Sequence, residues 1–122
     1  MPSKPKSIIV VDDEAQNVAL LLEILKLDGH HVRPTTSSEQ ALTSALNNPP
    51  DLLITDLKMP DLTGIELSEK LLGNKETQQV PVIIMSGVKL DDNDEIPSNI
   101  VASLLKPVDI NHVRDVVNRY LH

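Results

Sequence analysis

Residues 52–64 read LLITDLKMPDLTG. This stretch begins as a continuous apolar strand and ends in a loop with Pro and Gly, and Asp56 lies at the junction. Three more apolar runs end at residues able to handle phosphate or a metal ion: residues 8–11 before Asp12-Asp13-Glu14, residues 82–85 before Ser86-Gly87, and residues 102–105 before Lys106-Pro107. Four such junctions in one short chain predict a single site built from strand ends.

The bulk composition limits the classes of protein to consider. The length of 122 residues suits one domain with a single core, and 40% hydrophobic and 24% charged residues are typical of globular chains. A net charge of −7 argues against a nucleic-acid-binding surface, and the lack of cysteine excludes disulfides and thiolate metal sites. No apolar run approaches the roughly 20 residues of a membrane span, and the N-terminus does not resemble a secretion signal. We therefore expect a soluble, cytoplasmic protein that binds neither nucleic acid nor membrane.

Strand-like and helix-like patterns alternate along the chain, which predicts an α/β fold with a parallel sheet and helices on both faces. Apolar runs predict strands at residues 7–11, 31–34, 52–55, 82–85 and 101–105. Their near-continuous hydrophobicity suits strands buried on both faces, and the more polar second strand is expected at an edge. Helical spacing predicts helices at residues 15–27, from Ser37 or Ser38 to just before Pro49, at residues 64–72, and at residues 110–121.

The segment between Ser86 and Lys106 has the weakest helical pattern. It combines an acidic run at residues 91–95 with Pro97 and few apolar residues at helical spacing. We predict a short or irregular fourth helix there, and interpret the acidic run as a solvated loop. Residues 1–6 are expected to form a loose N-terminal arm, which leaves residues 7–122 as the domain.

The acidic strand ends predict a metal site. If the first and third strands are neighbours, Asp12, Asp13 and Asp56 converge at the carboxyl edge of the sheet, where ligands bind in open α/β folds. Two carboxylates about 4 Å apart repel by about 4 kcal/mol at an effective dielectric constant of about 20. The cluster therefore needs protons or a cation, and a small set of oxygen ligands suits Mg²⁺.

A carboxylate next to Mg²⁺ can act as a nucleophile towards a phosphoryl group and become an aspartyl phosphate. Asp56 is the predicted acceptor. The ammonium group of Lys106 and the hydroxyl group of Ser86 are positioned to bind the charged phosphoryl oxygens. Gly64 would permit the turn after the loop, and Gly87 would let the backbone approach closely.

Taken in order, these residues resemble the receiver domain of bacterial two-component response regulators. The resemblance covers essentially the whole chain and depends on Asp12-Asp13, Asp56, Met59-Pro60, Gly64, Ser86-Gly87 and Lys106-Pro107. It implies a flavodoxin-like, doubly wound, five-stranded parallel sheet with strand order 2-1-3-4-5. It also implies that Asp13, Asp56 and the main-chain carbonyl of Lys58 bind Mg²⁺, that Asp12 acts directly or through water, and that Lys106–Pro107 is a cis peptide.

The resemblance implies that a sensor histidine kinase or a histidine phosphotransfer protein phosphorylates Asp56. A phosphorylation-linked homodimer is a further expectation, and the output partner is not identified by the sequence. Family members often carry Tyr or Phe three residues before the lysine, where this chain has Ser103. Together with the weak fourth helix, this departure calls into question the usual route of signal transmission through the fourth helix, the fifth strand and the fifth helix.

Two other functions compete with a phosphorylated receiver. Phosphohydrolases that form an aspartyl phosphate need a second acid two residues after the nucleophile, but that residue is Lys58 here. A pseudo-receiver would bind partners constitutively; the complete set of acids, serine and lysine argues against it, whereas Ser103 keeps it open. Lys58 also flanks the predicted path of hydrolytic water, so we hypothesise that it alters the lifetime of the phosphoryl group.

Overall fold

The computed structural model describes residues 6–90 and 95–121. In chain order its elements are β1 (Ser7–Val11), α1 (Ala15–Leu27), β2 (His31–Thr35), α2 (Ser38–Asn47), β3 (Leu52–Asp56), α3 (Gly64–Leu72), β4 (Val82–Ser86), β5 (Ile100–Leu105) and α4 (Ile110–Tyr120). All the strand pairs are parallel, and the order across the sheet is β2-β1-β3-β4-β5. The predicted fold class and strand order are therefore confirmed.

Four of the five strands extend one residue further than predicted, and two of these extensions add residues of the predicted site, Asp56 and Ser86. Asp56 still pairs with Met85, and Ser86 still pairs with Leu105, so each is the last residue of its strand. Ser37 and Asp109 cap α2 and α4 with their side chains, and Thr63 and Glu66 form a capping box at the start of α3. After α1 the chain turns at Gly29, whose φ of 91° lies in the left-handed region that favours glycine.

Two hydrophobic layers enclose the sheet. Residues of β1 and β3 alternate between them, so Ile8 and Ile54 face one layer, whereas Ile9 and Leu53 face the other. The first layer is closed by α1 and α4, and the second by α2 and α3. Because β1, β3 and β4 are covered on both faces, core packing fixes the positions of their carboxyl ends and of the residues there.

The segment between β4 and β5 contains no helix in residues 87–90 and 95–99, which form bends, turns and irregular chain. The short or irregular helix predicted there is therefore not found in these residues. Residues 91–94 of the acidic run lie outside the described residues, as do residues 1–5 of the predicted arm. The prediction that β5 is buried on both faces was wrong, because Ser103 is exposed and Leu105 is 57% exposed. The strand order places β5 at an edge, where its far side has no neighbouring strand.

Across residues 6–90 and 95–121, the helices all fall short of the length and hydrophobicity needed to cross a membrane.

Candidate functional site

Four of the predicted site residues lie at the carboxyl edge of the sheet. Asp12 follows β1, Asp56 ends β3, Ser86 ends β4 and Lys106 follows β5. The strands are parallel and mutually adjacent in the order β1-β3-β4-β5, so their ends meet along one line. The structure therefore brings together residues that are up to 94 positions apart in the chain.

The acidic residues form a compact cluster. Asp12, Asp13 and Asp56 each present a carboxylate oxygen, and these atoms all lie within 4.8 Å of one another. Asp12 is fully buried and Asp56 is 7% exposed, whereas Asp13 faces solvent. The cluster thus has a buried floor and an open side, and its oxygen-only donors match the ligands that Mg²⁺ prefers.

Lys106 bridges two of these acids. Its Nζ atom donates hydrogen bonds to Asp12 Oδ2 at 3.1 Å and to Asp56 Oδ2 at 2.9 Å. Partial burial acts to lower the pKa of Lys106, but hydrogen bonds and charge attraction from Asp56 and Asp12 outweigh it and raise the pKa above its ordinary value. The ammonium group therefore stays protonated at neutral pH and offsets part of the repulsion between the carboxylates. The Lys106–Pro107 peptide is cis, as the resemblance implied.

The start of α1 fixes the orientation of Asp12. Its Oδ1 atom accepts a hydrogen bond from the backbone N–H of Glu14 at 2.9 Å, and its Oδ2 atom accepts one from Asn17 Nδ2 at 3.3 Å. Asn17 was not among the residues predicted for the site. A single Asn in the first turn of a helix gives no signal that separates it from a solvated surface residue.

The loop after β3 holds Asp56 and Lys58 in place. The backbone N–H of Leu57 donates to the carbonyl of Met85 at 2.8 Å, and the N–H of Gly64 donates to the carbonyl of Leu57 at 2.8 Å. A Cβ atom on Gly64 would come within 2.8 Å of the Asp56 carbonyl oxygen, so this close approach requires glycine. The Lys58 side chain is exposed at the mouth of the site.

Ser86 lies at the end of β4, the strand next to the one that Asp56 ends. It is 3% exposed, and its Oγ atom accepts a hydrogen bond from the backbone N–H of Val88 at 3.0 Å. A cavity of about 170 Å³ opens here, lined by Asp56, Lys58, Ser86, Gly87, Val88 and Lys106. A carboxylate, an ammonium group and a hydroxyl group thus surround one small space. Such a set can bind a tetrahedral oxyanion and offer it a nucleophile.

Comparison with known proteins identifies one family. Residues 8–118 match the response regulator receiver domain family. The polar-differentiation response regulator DivK of Brucella anthropi is 25% identical over 119 residues, which cover 96% of this chain and 97% of that protein.

Solved structures agree with this match. A response regulator receiver domain protein from Clostridium thermocellum is 29% identical, with a TM-score of 0.83 over 95% of this chain and 94% of that one. The receiver domain of a sensor histidine kinase from Pseudomonas aeruginosa PAO1 has a TM-score of 0.85 at 21% identity, over 97% and 98% of the two chains. That domain was solved with a magnesium ion coordinated in its active-site cleft.

Proposed function

The chain belongs to the response regulator receiver domain family, and on that premise we propose that Asp56 is the residue that accepts the phosphoryl group. The observation that carries this assignment is the 2.9 Å contact between Lys106 Nζ and Asp56 Oδ2 beside the carboxylates of Asp12 and Asp13. Of the three acids, Asp56 lines the cavity that Ser86 and Lys106 also line. Its carboxylate is therefore the one best placed to meet an incoming phosphorus atom.

The transfer exchanges one bond to phosphorus for another. A carboxylate oxygen of Asp56 forms a bond to the phosphorus atom while the bond from phosphorus to the donor atom breaks, and the donor atom keeps that electron pair. With a phosphohistidine donor, the nitrogen–phosphorus bond breaks and the imidazole leaves. The product is an aspartyl phosphate, whose three free oxygens remain charged.

Lys106 and Ser86 would bind those charged oxygens. The ammonium group of Lys106 needs only a small movement from Asp56 Oδ2 to reach an oxygen of a phosphoryl group attached to that residue. The Ser86 hydroxyl, held by the Val88 N–H, can direct its proton at a second oxygen. Lys106 and Ser86 are both in place before the phosphoryl donor arrives. Little reorganisation of these hydrogen-bonding groups is therefore needed as negative charge develops on the phosphoryl oxygens.

The remaining negative charge calls for a cation. Asp12, Asp13, Asp56 and the main-chain carbonyl of Lys58 would hold Mg²⁺. The carboxylate oxygens within 4.8 Å of one another support the three acidic ligands, and the Lys58 carbonyl is added from the family resemblance. When bound, Mg²⁺ would neutralise charge on the carboxylates and on the phosphoryl oxygens. The exposed position of Asp13 leaves the open side of the cluster accessible to the ion.

The phosphoryl donor we propose is a sensor histidine kinase or a histidine phosphotransfer protein in the cytoplasm. The domain would promote its own phosphorylation and dephosphorylation without turning over a substrate. Ser103, which stands where family members often carry Tyr or Phe, and Leu105 are exposed on β5. This surface would carry the signal to an output partner through a contact that does not need an aromatic side chain at position 103.

The direct test is intact-mass measurement after incubation with acetyl phosphate and Mg²⁺. We expect a phosphate-sized gain in mass that disappears when EDTA removes the metal ion, because the crowded negative charges then lack a counterion. No gain at any Mg²⁺ concentration would contradict the proposal and favour a constitutive interaction module.

Replacing Lys58 with asparagine tests the control of phosphoryl lifetime. Lys58 lines the cavity with Val88, so its side chain would lie beside a water molecule that attacks a phosphoryl group on Asp56. The asparagine side chain is shorter than lysine, leaves more room and can hydrogen-bond an attacking water molecule. We therefore expect the rate of dephosphorylation to rise about tenfold. The decay of the mass gain after donor removal measures this rate.

The matched control is Lys75→Asn, which removes an exposed lysine in the segment after α3, away from the cavity. An unchanged decay rate in Lys58→Asn, or an equal change in both variants, would refute the role of Lys58.

A further inference from the structure

Asp61 ties the loop after β3 to the start of α2. Its Oδ2 atom accepts hydrogen bonds from Ser37 Oγ at 2.8 Å and from the backbone N–H of Glu39 at 2.9 Å. Its Oδ1 atom lies 2.6 Å from Ser38 Oγ. These contacts join segments that are 22 to 24 residues apart in the chain.

Ser38 adds further contacts between the start of α2 and the loop after β3. This residue is fully buried, and its Oγ atom accepts a hydrogen bond from the backbone N–H of Leu62 at 2.9 Å. Burial acts to raise the pKa of Asp61, but hydrogen bonds from Ser38, the Glu39 N–H and Ser37 outweigh it and hold the pKa below its ordinary value. Asp61 is therefore ionised at neutral pH, and its charge is favourable at a helix N-terminus.

Helix capping alone does not account for this arrangement. Ser37 already caps α2 locally, since its Oγ atom accepts a hydrogen bond from the backbone N–H of Gln40 at 3.2 Å. The additional contacts from Asp61 connect the helix to a different part of the chain. Because Asp61 lies in the same loop as Lys58, these contacts restrict the conformations of that loop.

The start of α2 is also connected to the acidic cluster. The backbone N–H of Ser37 donates to Thr35 Oγ1 at 3.1 Å, and the carbonyl of Thr35 accepts a hydrogen bond from the backbone N–H of Asp12 at 3.3 Å. The Asp61 tie thus lies between two segments that carry proposed metal ligands, Asp12 on one and Lys58 on the other.

We propose that Asp61 is a positioning residue for metal binding, which holds the carbonyl of Lys58 in register with the carboxylate cluster through the start of α2. The inference rests on the proposed function, because it requires that Lys58 and the cluster bind Mg²⁺. Loss of the Asp61 carboxylate weakens the attachment of the loop between Asp56 and Thr63 to α2, although the hydrogen bonds between Ser38 and Leu62 remain, and it touches none of the proposed ligands. Metal affinity should then fall although the ligand set is intact.

Amide NMR titration with MgCl₂ tests this inference on wild type, Asp61→Ala and Asp61→Asn. We expect the Mg²⁺ dissociation constant of Asp61→Ala to rise roughly tenfold, the low end of the effect of losing supporting contacts around metal ligands. Asp61→Asn keeps one oxygen acceptor and should recover part of the affinity. The rate of phosphorylation at saturating Mg²⁺ should stay near that of wild type, because the added ion compensates for weaker binding.

Asp28→Ala is the matched control for a general loss of stability. Asp28 accepts two hydrogen bonds from Arg114, both at 3.0 Å, at the end of α1 and outside the acidic cluster. Its Mg²⁺ affinity should equal that of wild type even if its melting temperature falls as far as that of Asp61→Ala. Unchanged affinity in both Asp61 variants, or an equal loss in Asp28→Ala, overturns the positioning role. If wild type itself binds no Mg²⁺, the proposed function fails as well, so the two failures are distinguishable.

Discussion

Asp56→Asn is expected to abolish phosphoryl uptake from acetyl phosphate, with no phosphate-sized gain in mass at any Mg²⁺ concentration. The amide has nearly the same shape as the carboxylate but lacks the negative charge that makes the oxygen a nucleophile. Neither neighbouring acid can replace it easily, because Asp12 is held by Glu14, Asn17 and Lys106, and Asp13 lies on the solvent side of the cluster.

The variant should remain folded, which makes the result interpretable. Asparagine can keep the hydrogen bond from Lys106 through its amide oxygen, and the substitution removes one of three crowded negative charges. Circular dichroism before the reaction checks the fold. Asp115→Asn, which changes an exposed acid on α4, should show the wild-type gain in mass. A persisting gain in Asp56→Asn would place the acceptor elsewhere, and peptide mapping would locate it.

Lys106→Met is expected to slow phosphoryl uptake by about a hundredfold at saturating Mg²⁺, the scale seen when one charge-stabilising donor is removed from a transition state. Methionine keeps an unbranched side chain but removes the ammonium group that contacts Asp12 and Asp56. The rate of gain in mass with acetyl phosphate measures the effect. Lys70→Met, an exposed substitution on α3, should leave the rate unchanged.

The same substitution separates charge stabilisation from metal binding. The substitution removes the ammonium group, which competes with a metal ion for the carboxylates of Asp12 and Asp56. We therefore expect Mg²⁺ to bind at least as tightly as in wild type. Metal-free protein should be less stable by about 2 kcal/mol, because Asp12 is fully buried and its charge loses a partner. This value is below that of a fully buried pair, since the Lys106 side chain is 23% exposed. An unchanged phosphorylation rate would show that Lys106 has no role in the transfer.

Local sequence patterns were sufficient for most elements of the fold. The apolar runs of β1, β3 and β4 predicted strands because a strand buried on both faces is continuously hydrophobic, and the runs are too short for a buried helix. Ser37 marked where α2 begins, since its side chain satisfies a free backbone N–H group. The exposure of Leu105 was not predictable in this way, because burial on a given face depends on which elements cover it.

Patterns within a few residues were enough to predict Asp12, Asp56, Ser86 and Lys106 as the chemical groups at the strand ends. How those groups meet depends on the folded sheet. The Lys106 contacts span 94 and 50 residues, and the Asp61 tie spans 22 to 24. Hydrophobic periodicity specifies which side of an element is buried but not which element lies beside it. Contacts between polar side chains of distant elements therefore depend on the strand order and packing of the folded sheet.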